Sequence, residues 1–547
     1  MQKIIGIFLA ITLFGSIALH AEDHVPLQWA NNPKRNPVLD VKDMPTTFTE
    51  DNLIWEMRLG RYQFNVPVAW EDYLILGGGQ RLLQSRELER LNRDQRGGGM
   101  MMLEQKTGKV IWELVTPGLG WIGDWFGYGL CSTPVIEGER GYFMDVAGNL
   151  VCIDLNGQAN GNDGPFTDEL AWMSNVDQIG FKGPVTTDEP LTEMKSGYGD
   201  VIWVCDIAGQ TSVTMEDAAS CTPLLLGDYI WVGTNKSKKT AQKNRWIKKD
   251  GNVVDINEPG APDLPNIVVV NRHTGKIVAM DNVPIKKIYH GQYTSPALVE
   301  VNGEQQVLYG DGYGVLHSYA VADFSKAEEG EMIILEEVWR FDLVPEEYRA
   351  NPYPGLQVRF GDKPAVKDDK RAPGEIVAAP VVYDGLVYLP VGRDKNHTVG
   401  PGVFWCIDPS GKGDVTKTHG VWHSTDVDIS MVCPAIKDGL VYMGDMGGGL
   451  HCFDAKTGER YWMDDVEDEI LYGDPVLADG KLYVMTEHEL RVYEEGKEKK
   501  MLCKIPLKGA ETRAVTAVDG ILFVPTSRMI TAYAGPKMLE QLKENQK

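Results

Sequence analysis

Cysteine is missing from the places where it would announce chemistry. The eight Cys include no Cys-Cys pair and no Cys-x-x-Cys-His, which excludes a vicinal disulfide and a covalently attached haem. None precedes Cys131, so an N-terminal lipid anchor on cysteine is excluded as well. Histidine is scarce, 10 residues in 547, and His419 and His423 have no third ligand type beside them at metal spacing. Positive charge is in deficit: 54 Lys and Arg stand against 78 Asp and Glu, a formal net charge of −24. That balance opposes nonspecific binding to nucleic acid or to an anionic membrane surface and favours cationic or basic partners. After Leu19 no further long apolar run occurs, so no transmembrane segment is expected beyond the N-terminus.

What the N-terminus does contain is Met1-Gln2-Lys3, an apolar run from Ile4 to Leu19, and a polar segment opening at His20-Ala21-Glu22-Asp23. This layout predicts a signal peptide over residues 1–21, hence a periplasmic or secreted protein that is not a lipoprotein. The remainder is too long for one ordinary core, so a repeat architecture is sought first.

A repeat is present. Val432-Cys433-Pro434-Ala435-Ile436-Lys437-Asp438-Gly439-Leu440-Val441-Tyr442-Met443 aligns with Gly473-Asp474-Pro475-Val476-Leu477-Ala478-Asp479-Gly480-Lys481-Leu482-Tyr483-Val484, about 41 residues later. Each is an apolar strand opened by Pro, an Asp-Gly turn and a second alternating strand, which is a hairpin signal. Further copies start near Val66, Thr133, Thr222, Ser295, Ala379 and Ala514, which makes eight. Most copies continue as in Leu450-His451-Cys452-Phe453-Asp454-Ala455-Lys456-Thr457-Gly458-Glu459-Arg460-Tyr461-Trp462, a third strand, a tight Thr-Gly turn and a fourth strand carrying Trp. Four strands per repeat mean a propeller blade, with Trp covering the joint to the next blade. Trp172, Trp339 and Trp422 are read as ending further blades. The last copy has no fourth strand, whereas Asn52-Leu53-Ile54-Trp55-Glu56 lies unclaimed ahead of the first; pairing the two would close the ring and hide its edges. The expected organisation is an N-terminal extension at 22–48, an all-β, eight-bladed propeller at 49–534 and a polar C-terminal tail at 535–547.

The pattern Pro-x-x-x-x-Asp-Gly-x-x-Tyr followed by Leu-x-Cys-x-Asp-x-x-Thr-Gly-x-x-x-Trp resembles the PQQ-like β-propeller repeat, over about 480 residues. That repeat is shared by quinoprotein alcohol dehydrogenases and BamB-type outer-membrane assembly propellers, so the resemblance implies the fold and leaves the activity open. The dehydrogenase branch would imply a quinone (PQQ) stacked on a Trp in the central cavity, Ca²⁺ held by Glu and Asn, and an Asp base. No residue can be matched to those positions, and the Cys-Cys and haem motifs are absent. Cys152, Cys406 and Cys452 share one blade position, which reads as small buried filler. His317 and His451 share another, after Gly-x-Leu, which reads as packing. The acidic run Asp464, Asp465, Glu467, Asp468, Glu469 reads as a solvated loop between blades, its spacing matching no calcium loop.

Insertions interrupt the blades at 80–96, 236–265, 341–373 and 393–402, and long loops on a rigid ring are where recognition residues collect. The second insertion carries Lys236, Lys238, Lys239, Lys243, Arg245, Lys248 and Lys249 around Trp246, a basic cluster in an acidic chain. The reading is a non-catalytic envelope scaffold that binds an acidic protein or polysaccharide partner through those residues, with no cofactor. The alternatives are a PQQ-dependent dehydrogenase with Ca²⁺, or a glycan-binding or hydrolytic propeller whose carboxylates come from separate blades.

Overall fold

The computed structural model describes the chain from Ala30 to Asn545, apart from residues 31, 61–64, 96, 119–128, 176–178, 181–182, 185–188, 214–218, 237–244, 250–251, 257–263, 286–287, 289–290, 328–331, 351–373, 394–401, 511 and 519. Eight antiparallel sheets follow one another around an axis, and strands a to d run from the inside of each outward. Blade 1 is Val68–Trp70, Tyr73–Gly78, Gly98–Glu104 and Val110–Thr116; blade 2 is Val135–Glu137, Arg140–Met144, Leu150–Asp154 and Asp200–Cys205. Blade 3 is Leu224–Leu226, Tyr229–Gly233, Ile267–Asn271 and Ile277–Met280; blade 4 is Ala297–Val301, Glu304–Gly310, Val315–Ala320 and Glu337–Asp342. Blade 5 is Val381–Tyr383, Leu386–Val391, Val403–Ile407 and Gly420–Ser424; blade 6 is Ala435–Lys437, Leu440–Gly444, Gly449–Asp454 and Arg460–Asp465. Blade 7 is Val476–Ala478, Lys481–Met485, Glu489–Glu494 and Met501–Pro506. Blade 8 takes a to c from Thr516–Val518, Ile521–Pro525 and Met529–Ala534, and d from Leu53–Arg58. The ring therefore closes as expected, with Glu56 opposite Thr531 and Arg58 opposite Met529.

The Trp and Thr-Gly positions act together. Asp454 Oδ1 accepts the amides of Lys456 and Thr457, and Gly458 (φ 73°) turns the chain where Trp422 of the preceding blade leaves no room for a Cβ. Trp422 Nε1 then donates to Ala455 O at 2.9 Å. Trp55, Trp112, Trp203 and Trp462 make the same reach, to the carbonyls of Gln105, Leu155, Arg272 and Gly496. An indole at each of these joints buries apolar area and satisfies a turn carbonyl. One tryptophan departs from expectation, and another ends its blade as expected but bonds differently. Trp172 does not end a blade: it lies on the short helix Glu169–Met173, and the fourth strand of blade 2 comes after that insertion and carries Trp203. Trp339 is on strand d of blade 4, but its Nε1 donates to Gln306 Oε1 within the blade.

The residue before each repeat Pro links neighbouring blades. Val66 N donates to Thr133 Oγ1, Ser132 Oγ to Cys221 O, Thr222 N to Ser295 Oγ, and Thr294 Oγ1 to Ala378 O. The circuit continues with Ala379 N to Cys433 Sγ, Cys433 N to Asp474 Oδ1, Arg513 Nε to Asp474 Oδ2, and Thr516 Oγ1 to Pro67 O. All eight joints are crossed. A small hydroxyl, thiol or carboxylate there satisfies strand ends that the blade ladders leave open. Among the described residues no helix is long and apolar enough to cross a membrane.

Candidate functional site

Two features of a propeller can carry function, its axis and the loops of one face. Each inner strand points backbone N–H groups at the axis, and these need partners. Here the chain supplies them itself. Of the segment read as an N-terminal extension, residues 32–45 pass through the ring as a strap. Pro33 O accepts the amide of Leu298 (2.8 Å), Lys34 O that of Val382 (2.9 Å) and Pro37 O that of Leu477 (2.9 Å). Asn36 pairs with both main-chain groups of Ile436, accepting at 2.9 Å and donating at 2.7 Å. Leu298, Val382, Ile436 and Leu477 all stand two residues after the repeat Pro. Successive strap residues thus bond successive blades, 4 to 7, winding about the axis.

The strap then runs parallel to the inner strand of blade 7, with Val38 opposite Leu477 and Leu39 opposite Ala478. It leaves past Asp479 and Tyr483, whose hydroxyl donates to Pro45 O at 2.8 Å. Asp43 accepts the amides of Lys537 and Met538 at the start of the helix Pro536–Asn545, anchoring the tail to the strap. Toward blades 8 and 1 the strap leaves an apolar cavity of about 260 Å³, lined by Pro37, Leu39, Val41, Val66, Val68 and Val515 among others.

Arg35 sits at the centre of this arrangement. It is 0% exposed, and its Nε and Nη2 donate to the carbonyls of Pro296, Thr222 and Pro223 at 2.8, 3.2 and 2.8 Å. Burial lowers it to about 10, so it remains charged at neutral pH. Across the channel Arg513 pairs with Asp474 at 3.1 Å, a carboxyl that burial raises to about 6 against the pull of that guanidinium. Nothing in the string Pro33-Lys34-Arg35-Asn36-Pro37 marks it as buried, because its partners lie far along the chain, Ile436 being 400 residues from Asn36. The Ser, Thr, Cys or Asp before the repeat Pro was a readable sign of the blade-to-blade links.

The PQQ-like resemblance implies a quinone and Ca²⁺ on this axis. A flat tricycle needs an aromatic floor, and Ca²⁺ needs several convergent oxygens. The described groups along this axis are aliphatic side chains, the strap, Arg35 and the Asp474 carboxylate already held by Arg513, and they do not fit that pair. The cysteines take no part either: Cys152, Cys205, Cys221, Cys406, Cys433, Cys452 and Cys503 are free thiols.

The two histidines singled out by repeat position serve turns. Asp145, Asp311 and Asp445 each accept, at 2.8 Å, the amide four residues on, closing the b–c turns of blades 2, 4 and 6. His451 and His317 hold the second oxygen of Asp445 and Asp311 at 2.8 and 3.1 Å. Glu337 adds a second carboxylate to His317 at 2.6 Å. Burial pulls His317 down, but the two carboxylates outweigh it and push it up to about 9. In the acidic run, Asp464 pairs with Lys499 at 2.7 Å, and Asp468 accepts from Thr486, His488 and the His488 amide. Those two carboxylates tie blade 6 and its exit loop to blade 7 rather than being left to solvent.

All four insertions leave from b–c or d–a connections, which share one face of an antiparallel blade. That face carries the helix Arg86–Gln95 on blade 1, the hairpin Arg245–Lys249 and Asn252–Ile256 on blade 3, and Glu346–Ala350 after blade 4. Arg393 lies 4.4 Å over the Tyr293 ring and 3.7 Å from Glu375, stitching the loops of blades 3 to 5. Of the basic cluster, Arg245, Trp246, Lys248 and Lys249 lie on one strand of that hairpin, opposite Ile256, Asp255, Val253 and Asn252. Lys238, Lys239 and Lys243 fall outside the described residues. Lys236 is corrected: it is 6% exposed and its ammonium donates to Leu264 O at 2.7 Å, tying the base of the insertion.

Repeat, ring and links define the class: an eight-bladed β-propeller of PQQ-like repeats. Residues 413–503, from the end of blade 5 through most of blade 7, match the family model described as outer membrane protein assembly factor BamB. No curated protein matches the chain. Among solved structures it is similar to BamB from Moraxella catarrhalis, at 13% identity over 88% of this chain and 99% of that one (TM-score 0.47). It is also similar to quinohemoprotein alcohol dehydrogenase from Comamonas testosteroni, at 10% identity over 93% and 80% (TM-score 0.43). A computationally designed protein, Ika8, gives 8% over 88% and 99% (TM-score 0.46).

Proposed function

We propose that this propeller is a non-catalytic binding platform of the cell envelope, exported by its N-terminal signal, which presents its insertion face to an acidic protein or polysaccharide. The observation that carries the reading is the strap. A ring whose axis is bonded to its own chain through four consecutive blades has committed that space to rigidity, and the face bearing the insertions is left for recognition. The family description matched by residues 413–503, an assembly factor, is in keeping with a platform. The hairpin of blade 3 brings basic residues to a chain of net charge −24, and attraction of unlike charge would orient an acidic partner onto that face.

Charge reversal tests it. The mature protein and a variant carrying K238E, K239E, K243E, K248E and K249E are passed over immobilised anionic envelope polysaccharide and over solubilised envelope proteins at low and physiological salt. Retention of the parent alone, weakening with salt, is the expected result. Equal retention of both proteins removes the hairpin as the docking element.

A further inference from the structure

The channel contains an imbalance that the strap does not resolve. Arg35 is fully buried, and among the described residues no carboxylate lies within 4.0 Å of it. Carbonyls satisfy Nε and Nη2, but Nη1 is buried with no partner. Thr222 shares the omission: its amide donates to Ser295 Oγ and its carbonyl accepts Arg35 Nη2, yet its hydroxyl is buried and unpartnered. Arg513 is close enough to repel Arg35, and Asp474 is engaged by Arg513. The other titratable groups near Arg35 are Cys221 and Cys433, which burial keeps as neutral thiols, Cys221 pushed up to about 11. Arg35 thus has no carboxylate of its own among the described residues. An uncompensated charge in such a place is strongly unfavourable, and proteins answer it with a counter-ion or loss of the proton.

We propose that Arg35 Nη1 and the Thr222 hydroxyl hold a small monovalent anion, chloride or a halide of similar size, inside the channel. Both groups are donors, and two donors with an adjacent positive charge suit a single-atom anion. A tetrahedral oxyanion would bring acceptor oxygens that two donors cannot satisfy, and each buried acceptor left open is unfavourable. The ion would neutralise Arg35 and so lock the strap against blades 3 and 4. The site is independent of the insertion face, so its failure would leave the proposed function untouched.

The test uses the mature full chain. Thermal unfolding is followed at fixed ionic strength while sodium gluconate is replaced by chloride or bromide, and in a parallel series by sulfate. A ligand that binds only the folded state raises the midpoint with its concentration. The expected result is a rise with chloride and bromide, none with sulfate, at least a tenfold higher halide concentration for the same rise in T222V, and no response in R35M. If R35M does not fold, T222V still decides the matter. Crystals grown in bromide should give an anomalous peak beside Nη1. Equal midpoints in gluconate and chloride, an equal response to sulfate, or no bromide peak at Arg35 would each overturn the proposal.

Discussion

Trp55 of the first described long strand lies against Gly108 of blade 1, and its Nε1 donates to Gln105 O at 2.7 Å. This contact joins the strand that completes blade 8 to the blade that follows it, so the ring is held at its seam by the same indole and turn that hold other joints. A Cβ at Gly108 would meet the indole at 2.8 Å, on a backbone with φ of 69°.

G108A should therefore destabilise the protein by about 2–4 kcal/mol, combining left-handed backbone strain with overpacking. G138A is the matched control. Gly138 also has positive φ, 56°, but an added Cβ would meet nothing within 4 Å, so only the backbone term of about 1 kcal/mol is expected. Urea unfolding of the two variants checks the difference; equal losses would mean that the seam indole does not constrain the turn.

Ring closure was legible because it depends on periodic signals: an unclaimed Trp strand before the first repeat and a missing one after the last. The Thr-Gly turns and their Trp partners repeat as well. The strap has no period. Its prolines and polar residues look like an ordinary linker, and what makes them structural is the set of inward amides two residues after each repeat Pro, visible only once the blades are arranged in a circle. Trp172 misled for a related reason, since the long insertion of blade 2 places an aromatic where the fourth strand was due and the true one arrives about 30 residues later.

The strap should matter for stability as the backbone pattern dictates. N36A removes both bonds to the main chain of Ile436 and leaves a channel amide and carbonyl open, at a cost of about 2 kcal/mol. Lys34 gives the ring only its backbone carbonyl and is exposed, so K34A should stay within about 0.5 kcal/mol of the parent. Denaturant midpoints distinguish the two. Indifference to N36A would show that the strap rests in the channel without contributing to the ring.

His317 predicts a pH dependence with a definite sign. Its folded value of about 9 is above the ordinary value of 6.5, so the folded state holds the proton more tightly. The stabilisation is complete below about 6.5 and is lost as pH rises through 9, with a slope of at most about 1.4 kcal/mol per pH unit in between. H317Q keeps the size and a hydrogen-bonding amide but cannot titrate. It should flatten the decline in unfolding midpoint between pH 6.5 and 9.5; an unchanged slope would assign that decline to other groups.

The channel also bears on cofactor chemistry. Isothermal titration of the mature protein with PQQ, with and without Ca²⁺, should show no stoichiometric binding, because the ligand would have to displace main-chain bonds to four blades and the hydrogen bonds of Arg35. Each of those bonds broken without replacement costs about 1–3 kcal/mol, so displacement of the strap would consume most of the affinity expected of a small ligand. A variant in which N36A loosens the strap separates two outcomes. If parent and variant both fail to bind, the axis lacks the groups that a quinone requires. If the variant alone binds in a Ca²⁺-dependent way, the strap is a gate over a cofactor site and the dehydrogenase reading returns, to be pursued with alcohol substrates and an artificial electron acceptor.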